Sequence, residues 1–151
     1  MNIAEIITPE RISICEDIQS KKRALEEVSK LLDSGTPFVS DTEIFTSLIN
    51  REKLGSTGVG MGIALPHGRL KGVEQAVGAL LRLGQGVDFE SPDGSPVDII
   101  FGLIVPEEAT EDHLKILAGL AELGMQEDFG AKVRAAADAE ALHRLLAGSS
   151  D

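Results

Sequence analysis

Apolar and polar positions along this chain recur with two different periods, and the change of period marks its elements. From Ser20 to Gly35 the apolar residues fall at Ala24, Leu25, Val28, Leu31 and Leu32, the spacing that gathers side chains on one face of a helix. Ser20 is suited to cap the start of this helix, and Asp33-Ser34-Gly35 to end it. A second helix is predicted from Asp41, with Glu43 in its first turn, Ile44, Phe45, Leu48 and Ile49 on one side, and a stop by Gly55. The run GSTGVGMG at 55–62 is too rich in glycine for regular structure, which predicts a loop or a strand with bulges. Strand patterns follow: a short one over Gly62–Leu65 that stops at Pro66, a second from Ala76 to Leu83, and a third from Val97 to Val105. The third is apolar on both faces apart from Asp98, as expected of a central strand covered on two sides. Pro92-Asp93-Gly94 predicts a tight turn between the last two.

A third helix is predicted after Pro106. Thr110 is a suitable cap, and Glu111 and Asp112 suit the positive end of the helix dipole. Leu114, Leu117, Ala118 and Ala121 form one apolar stripe, and Ile116, Leu120 and Leu123 a second side, so this helix is expected to be deeply packed. Asp138 is placed to cap a last helix running through Leu146. Together these elements predict an α/β fold, a three-layer α/β/α sandwich with a mixed β-sheet flanked by helices.

Composition narrows the function. The chain has 151 residues, 42% of them apolar, enough for one domain with a real core and too apolar for a disordered chain. It carries 14 Lys and Arg against 25 Asp and Glu, a net charge of −11. Such a surface repels phosphate backbones and anionic lipid, so neither nucleic acid nor membrane insertion is expected. No run approaches the roughly 20 apolar residues of a membrane span, and the start lacks a basic region followed by an apolar stretch. A cytoplasmic protein is expected. Cys15 is the single cysteine, without an internal disulfide partner or a ligand cluster; it reads as a small, partly buried apolar residue. No metal site and no cofactor are expected.

Candidate chemistry rests on three histidines, His67, His113 and His143. His67 lies between Pro66 and Gly68 just after the short strand, at a strand end, where open α/β sheets place their sites; Pro-His-Gly is equally the sequence of a turn holding a surface histidine. His113 falls in the first turn of the third predicted helix, beside amides that have no intrahelical partner and that attract phosphate. It is either a hydrogen-bond donor to a phosphoryl oxygen or part of the cap. Arg51, near the end of the second helix, can grip two phosphoryl oxygens at once, or simply complement the helix dipole. The hydroxyls of Ser56 and Thr57 are candidates for the same anion, or for shaping the loop. The glycine run lacks the Lys-Ser/Thr ending of a P-loop, and no apolar strand leads into it as a dinucleotide fingerprint requires. Its glycines point instead to close backbone approach or positive φ. His143, beside Arg144 on the last helix, reads as surface decoration.

The segment Arg51-Glu52-Lys53-Leu54-Gly55-Ser56-Thr57-Gly58-Val59-Gly60-Met61-Gly62-Ile63-Ala64-Leu65-Pro66-His67-Gly68 closely resembles the active-site segment of mannitol/fructose-type IIA domains of the phosphoenolpyruvate-dependent phosphotransferase system. Glu111-Asp112-His113-Leu114-Lys115-Ile116-Leu117-Ala118 resembles that family's second histidine segment. The resemblance runs from about Ile3 to Leu146, implying a single domain over 1–151, and looks most like the nitrogen-related regulatory branch. It implies that His67 accepts a phosphoryl group, on its outer ring nitrogen, from an HPr-like carrier protein. His113 would then support the transfer and Arg51 line the site. Phosphoryl transfer is mostly a matter of positioning and electrostatics, so these residue types are the ones it needs. The acceptor that fixes the His67 tautomer is not identifiable from sequence. An acidic protein docking a carrier whose phosphorylated histidine is itself negative calls for an apolar contact, for which Val59, Met61 and Leu65 are the candidates. In this branch the regulated partners include sensor kinases and potassium transport components. Two alternatives are a sugar-specific IIA component passing phosphate to a IIB domain, and a nucleotide-binding domain that grips phosphates without a covalent step.

Overall fold

The ten-residue strand β6, Val97–Pro106, is the spine of the molecule. Its length and its two apolar faces let every other strand find a place through it, directly or at one remove. In the computed structural model, which describes residues 3–108, 111–126 and 128–148, β5 (Val77–Val87) runs antiparallel to β6 along one side. Beyond β5 lies β1 (Ile12–Cys15), in parallel. On the other side of β6 sit two short parallel pieces, β3 (Ile63–Ala64) and β4 (His67–Leu70), and β3 in turn pairs with β2 (Gly58–Gly60). The six strands form one mixed sheet.

Helices cover both faces. Against one lie α2 (Lys21–Asp33) and α3 (Asp41–Glu52), burying Leu25, Val28, Leu32, Ile44 and Leu48 on Ala79, Leu81, Ile100 and Ile104. Against the other lie α1 (Ile3–Ile6), α4 (Glu111–Gly124), α5 (Phe129–Ala135) and α6 (Ala139–Gly148), closing over Leu80, Ile99, Phe101 and Leu103. Alternate residues of β5 and β6 therefore feed two separate cores, as the pleat requires. The fold is the three-layer α/β/α sandwich that the sequence predicts.

Local signals hold at several ends. Ser20 accepts the Arg23 amide at the start of α2, and Asp138 accepts the Ala141 amide at the start of α6. At α3 the cap is Ser40, which forms a reciprocal capping box with Glu43. Thr110, the expected cap of α4, lies outside the described residues. The Ser91–Gly94 turn is closed by the Gly94 amide on the Ser91 carbonyl.

Four expectations need correction. The strand expected to stop at Leu83 continues to Val87, and a bulge between Arg82 and Val87 absorbs the extra residues against β6. The strand expected to stop at Pro66 resumes at His67. Ile63 faces Ile99 and His67 faces Leu103, an unchanged offset, so residues 63–70 follow one line along β6. Proline removes one ladder donor but keeps its acceptor, and the Pro66 carbonyl takes the Leu103 amide. On α4 the two apolar sides are not buried alike: Ile116, Leu120 and Leu123 are buried and Leu117 and Ala121 pack half-buried on the same core, whereas Leu114 is 53% exposed and Ala118 is also exposed. His143 is not decoration: half-buried, it donates from Nε2 to the Ala4 carbonyl at 2.9 Å and ties α6 to α1.

Candidate functional site

His67 opens β4, at the level of Leu103 near the carboxyl end of β6. The helix that carries His113 begins five residues beyond that same strand in the chain. His67 is half-buried, and its Nδ1 lies 2.8 Å from the Leu65 carbonyl. A carbonyl can only accept, so Nδ1 carries the proton, and the neutral ring has its lone pair on Nε2. Burial holds the imidazole below the ordinary histidine range, and the Arg51 charge pushes the same way. The Leu65 hydrogen bond and the Glu52 carboxylate oppose this without overcoming it. The ring is thereby kept neutral at pH 7.

Arg51 reaches the site because α3 seats directly on β4. A Cβ at position 68 would collide with Ser47 Oγ, so only glycine allows this approach, and Ser47 donates to the Arg69 carbonyl at 3.1 Å. Arg51 follows Ser47 by one helical turn, on the same face. Its Nη1 donates to the Gly55 carbonyl at 2.8 Å, which draws the start of the glycine segment toward the guanidinium.

That segment is ordered by groups the sequence does not advertise. Gly60, Met61 and Gly62 all have positive φ, and Met61 at 60° is the unusual one because it has a side chain. Asp93 accepts its amide at 3.0 Å, and Arg134 of α5 donates to its carbonyl at 2.9 Å while forming a two-point ion pair with Asp98. Thr57 gives both its amide and its hydroxyl to the buried Glu52 carboxylate, at 2.9 and 2.5 Å. Ser56 donates to the Phe89 carbonyl. Both candidate hydroxyls are thus engaged in shaping the loop, the second of the two roles open to them.

Of the apolar candidates, Met61 is 47% exposed and Val59 is half-buried at the edge of the core. Leu65 is a correction: its side chain is 6% exposed and belongs to the core, and what it offers the site is its main-chain carbonyl. Leu54, 84% exposed three residues after Arg51, and Leu114, beside His113 and placed by periodicity on a packed stripe, are exposed apolar residues. Among the described residues, no cluster of three or more His, Cys, Asp or Glu side chains is arranged to hold a metal, and no helix is long and apolar enough to cross a membrane.

These features can be set beside known proteins. Residues 5–149 match the family model described as phosphoenolpyruvate-dependent sugar phosphotransferase system, EIIA 2. A nitrogen regulatory protein of Bradyrhizobium diazoefficiens is 43% identical over 147 residues, covering 97% of this chain and 95% of its own. One from Pseudomonas aeruginosa is 42% identical over 146 residues, with the same coverage. The crystal structure of nitrogen regulatory protein IIA-Ntr from Neisseria meningitidis superposes with a TM-score of 0.90 at 42% identity, covering 95% of this chain and 98% of that one. By the family match over residues 5–149 and these relatives, the chain belongs to the EIIA 2 family of the phosphoenolpyruvate-dependent sugar phosphotransferase system, and within it is similar to the nitrogen regulatory proteins.

Proposed function

We propose that this chain is a cytoplasmic histidine phosphocarrier of a nitrogen-related phosphotransferase system, acting as one domain. It takes a phosphoryl group on His67 Nε2 from an HPr-like carrier protein and alters its contacts with regulatory partners according to its phosphorylation state. One observation carries the reading: the Leu65 carbonyl holds the Nδ1 proton of a ring that burial keeps neutral, which leaves Nε2 as the nucleophile. In the transfer the Nε2 lone pair forms the new N–P bond while the carrier's own N–P bond breaks, and the electron pair of that bond returns to the carrier's imidazole. Nδ1 keeps its proton throughout. Arg51 and His113 are the groups assigned to the phosphoryl oxygens, where charge accumulates in a loose transition state. Phosphorylation then adds about two negative charges, enough to change how a partner protein binds.

Docking of the carrier, whose phosphohistidine is negative, on this acidic protein is assigned to the apolar surface around Met61, with Val59 at its margin. Met61→Asp is expected to weaken transfer from the carrier while leaving the fold intact; unimpaired transfer would remove this surface from the reading.

The decisive experiment is incubation with phosphoenolpyruvate, enzyme I and the HPr-like carrier, followed by intact mass. One phosphoryl group is expected on the wild-type chain and on His143→Ala, and none on His67→Ala. A cooperatively folded wild-type chain that takes up nothing would overturn the proposal, and tight ATP binding in that case would point to a nucleotide site. Efficient onward transfer to a IIB domain would replace the regulatory role with a sugar-specific one.

A further inference from the structure

Four successive contacts run from helix α2 to the His67 ring. Lys21 Nζ pairs with Glu52 Oε2 at 2.9 Å; the Glu52 carboxylate accepts the Thr57 amide at 2.9 Å and the Thr57 hydroxyl at 2.5 Å; the Thr57 carbonyl accepts the Leu65 amide at 2.9 Å; and the Leu65 carbonyl accepts the His67 Nδ1 proton at 2.8 Å. The first contact is held in place from outside, because Lys21 Nζ also lies 5.0 Å from the centre of the Phe89 ring and 3.4 Å from the Phe89 carbonyl. The Glu52 side chain is only 5% exposed.

From this chain we infer that Glu52 is a positioning residue for the phosphoryl site: with its charge balanced by Lys21, its carboxylate sets the place of Thr57 and hence of Leu65, whose carbonyl decides which nitrogen of His67 is free to react. The requirement is for a carboxylate in particular. Its two oxygens together receive one ammonium group and two Thr57 donors, whereas an amide offers a single acceptor oxygen and adds donors that have no use here. A buried carboxylate without its cation is also unfavourable, so Lys21 belongs to the same device. Glu52 touches neither nucleophile nor phosphate; apart from the electrostatic pull of its carboxylate on the His67 ring, its effect on reactivity passes through two main-chain steps.

This inference rests on the proposed role of His67, but its test can be read separately. Nitrogen-15 NMR of the histidine side chains, on the unphosphorylated protein above pH 7, reports which ring nitrogen bears the proton. The wild-type chain is expected to show His67 as a single neutral tautomer protonated at Nδ1. Glu52→Gln and Lys21→Met are expected to introduce the other tautomer, to at least a tenth of the population, and to slow phosphoryl uptake from the HPr-like carrier in proportion to the loss of the form protonated at Nδ1. Thr57→Ser, which keeps both donors, is expected to behave as wild type, and Thr57→Val to fall between. Should Glu52→Gln not fold, Lys21→Met and Thr57→Val carry the test. A His67 ring that stays protonated at Nδ1 in every folded variant, with wild-type uptake, overturns the inference. A wild-type protein that shows the expected tautomer yet accepts no phosphate overturns the phosphocarrier reading and leaves the positioning intact.

Discussion

His67 and His143 are alike in several ways that are often used to sort histidines. Both are half-buried, and both hydrogen-bond a main-chain carbonyl, at 2.8 and 2.9 Å. They differ in which nitrogen is used and how far away the acceptor lies. His67 spends Nδ1 on a carbonyl two residues back, which leaves Nε2, the end of the ring farther from the backbone, with a lone pair. His143 spends Nε2 on a carbonyl 139 residues away, joining the two ends of the chain. Their charged surroundings include both signs: Arg51 and Glu52 act on His67, and His143 has Arg144 as its chain neighbour and lies near Glu10. At His67 burial is the larger cause of neutrality, with the Arg51 guanidinium adding to it. Burial and a hydrogen bond alone do not distinguish a reactive imidazole from a tether; the identity of the unspent nitrogen does.

The largest expected effect on this contrast, short of removing His67 itself, comes from Arg51. Arg51→Ala is expected to slow phosphoryl uptake by about a hundredfold, the usual scale for losing one preorganised donor. It is also expected to let the His67 pKa rise, because a charge that opposes protonation is gone. Rapid-quench uptake assays and an NMR titration of the His67 ring measure the two separately. Arg51→Lys is expected to recover the pKa and only part of the rate, since an ammonium group is a point charge without the planar fork. Uptake unchanged in Arg51→Ala would reduce this residue to a partner of the Gly55 carbonyl.

A smaller effect follows from the depressed pKa of His67. Uptake is expected to be level through neutral pH and to fall only below the ordinary histidine value of about 6.5, as a proton takes the Nε2 lone pair. Stability follows the same direction. Between the folded and unfolded values the unfolded chain binds more protons than the native one. The contribution of His67 is therefore fully present above about pH 6.5 and is lost as pH falls through the lower, folded pKa. Denaturant unfolding at pH 7.5 and pH 5 checks this: the loss on acidification should shrink in His67→Ala. A loss as large in that variant as in wild type would assign it to other groups.

How much of this was readable from sequence depended on whether the physics was local. Ser20 and Asp138 cap helices through residues three positions away, so their signals lie within one turn. Strands β1 and β4 have four residues each, too few to show a period, and their partners Leu80–Leu83 and Leu103–Pro106 lie far along the chain. Pro-His-Gly even argues locally for a turn, and tertiary pairing overrides it. At the site, His67 and Arg51 stand out by type and by resemblance. Glu52 does not, because between Arg51 and Lys53 it reads as one more solvated charge; its burial is visible only once α2 brings Lys21 alongside. The acceptor that fixes the His67 tautomer is a main-chain atom, and nothing in the identity of Leu65 marks its carbonyl. Arg82, the one cation in an apolar strand, is explained in the same way: it donates to the Val133 and Ala136 carbonyls at the end of α5.

The smallest expected effect belongs to His143, and its direction matters more than its size. His143→Ala removes a donor from the Ala4 carbonyl, a main-chain group near enough to the surface for water to replace much of what is lost. The expected cost is about 1 kcal/mol, the net worth of an ordinary hydrogen bond, which in a domain of this length lowers Tm by roughly 2–4 °C. Phosphoryl uptake should not change. His143→Gln restores the Tm if the tether is the hydrogen bond itself, because the glutamine amide can donate to the same carbonyl; a ring that merely fills space would leave the two variants equally destabilised. Thermal melts of the three proteins, with uptake measured on each, decide between them. A fall in uptake without a fall in Tm would mean that His143 communicates with the site, and the division between reactive and tethering imidazoles would fail.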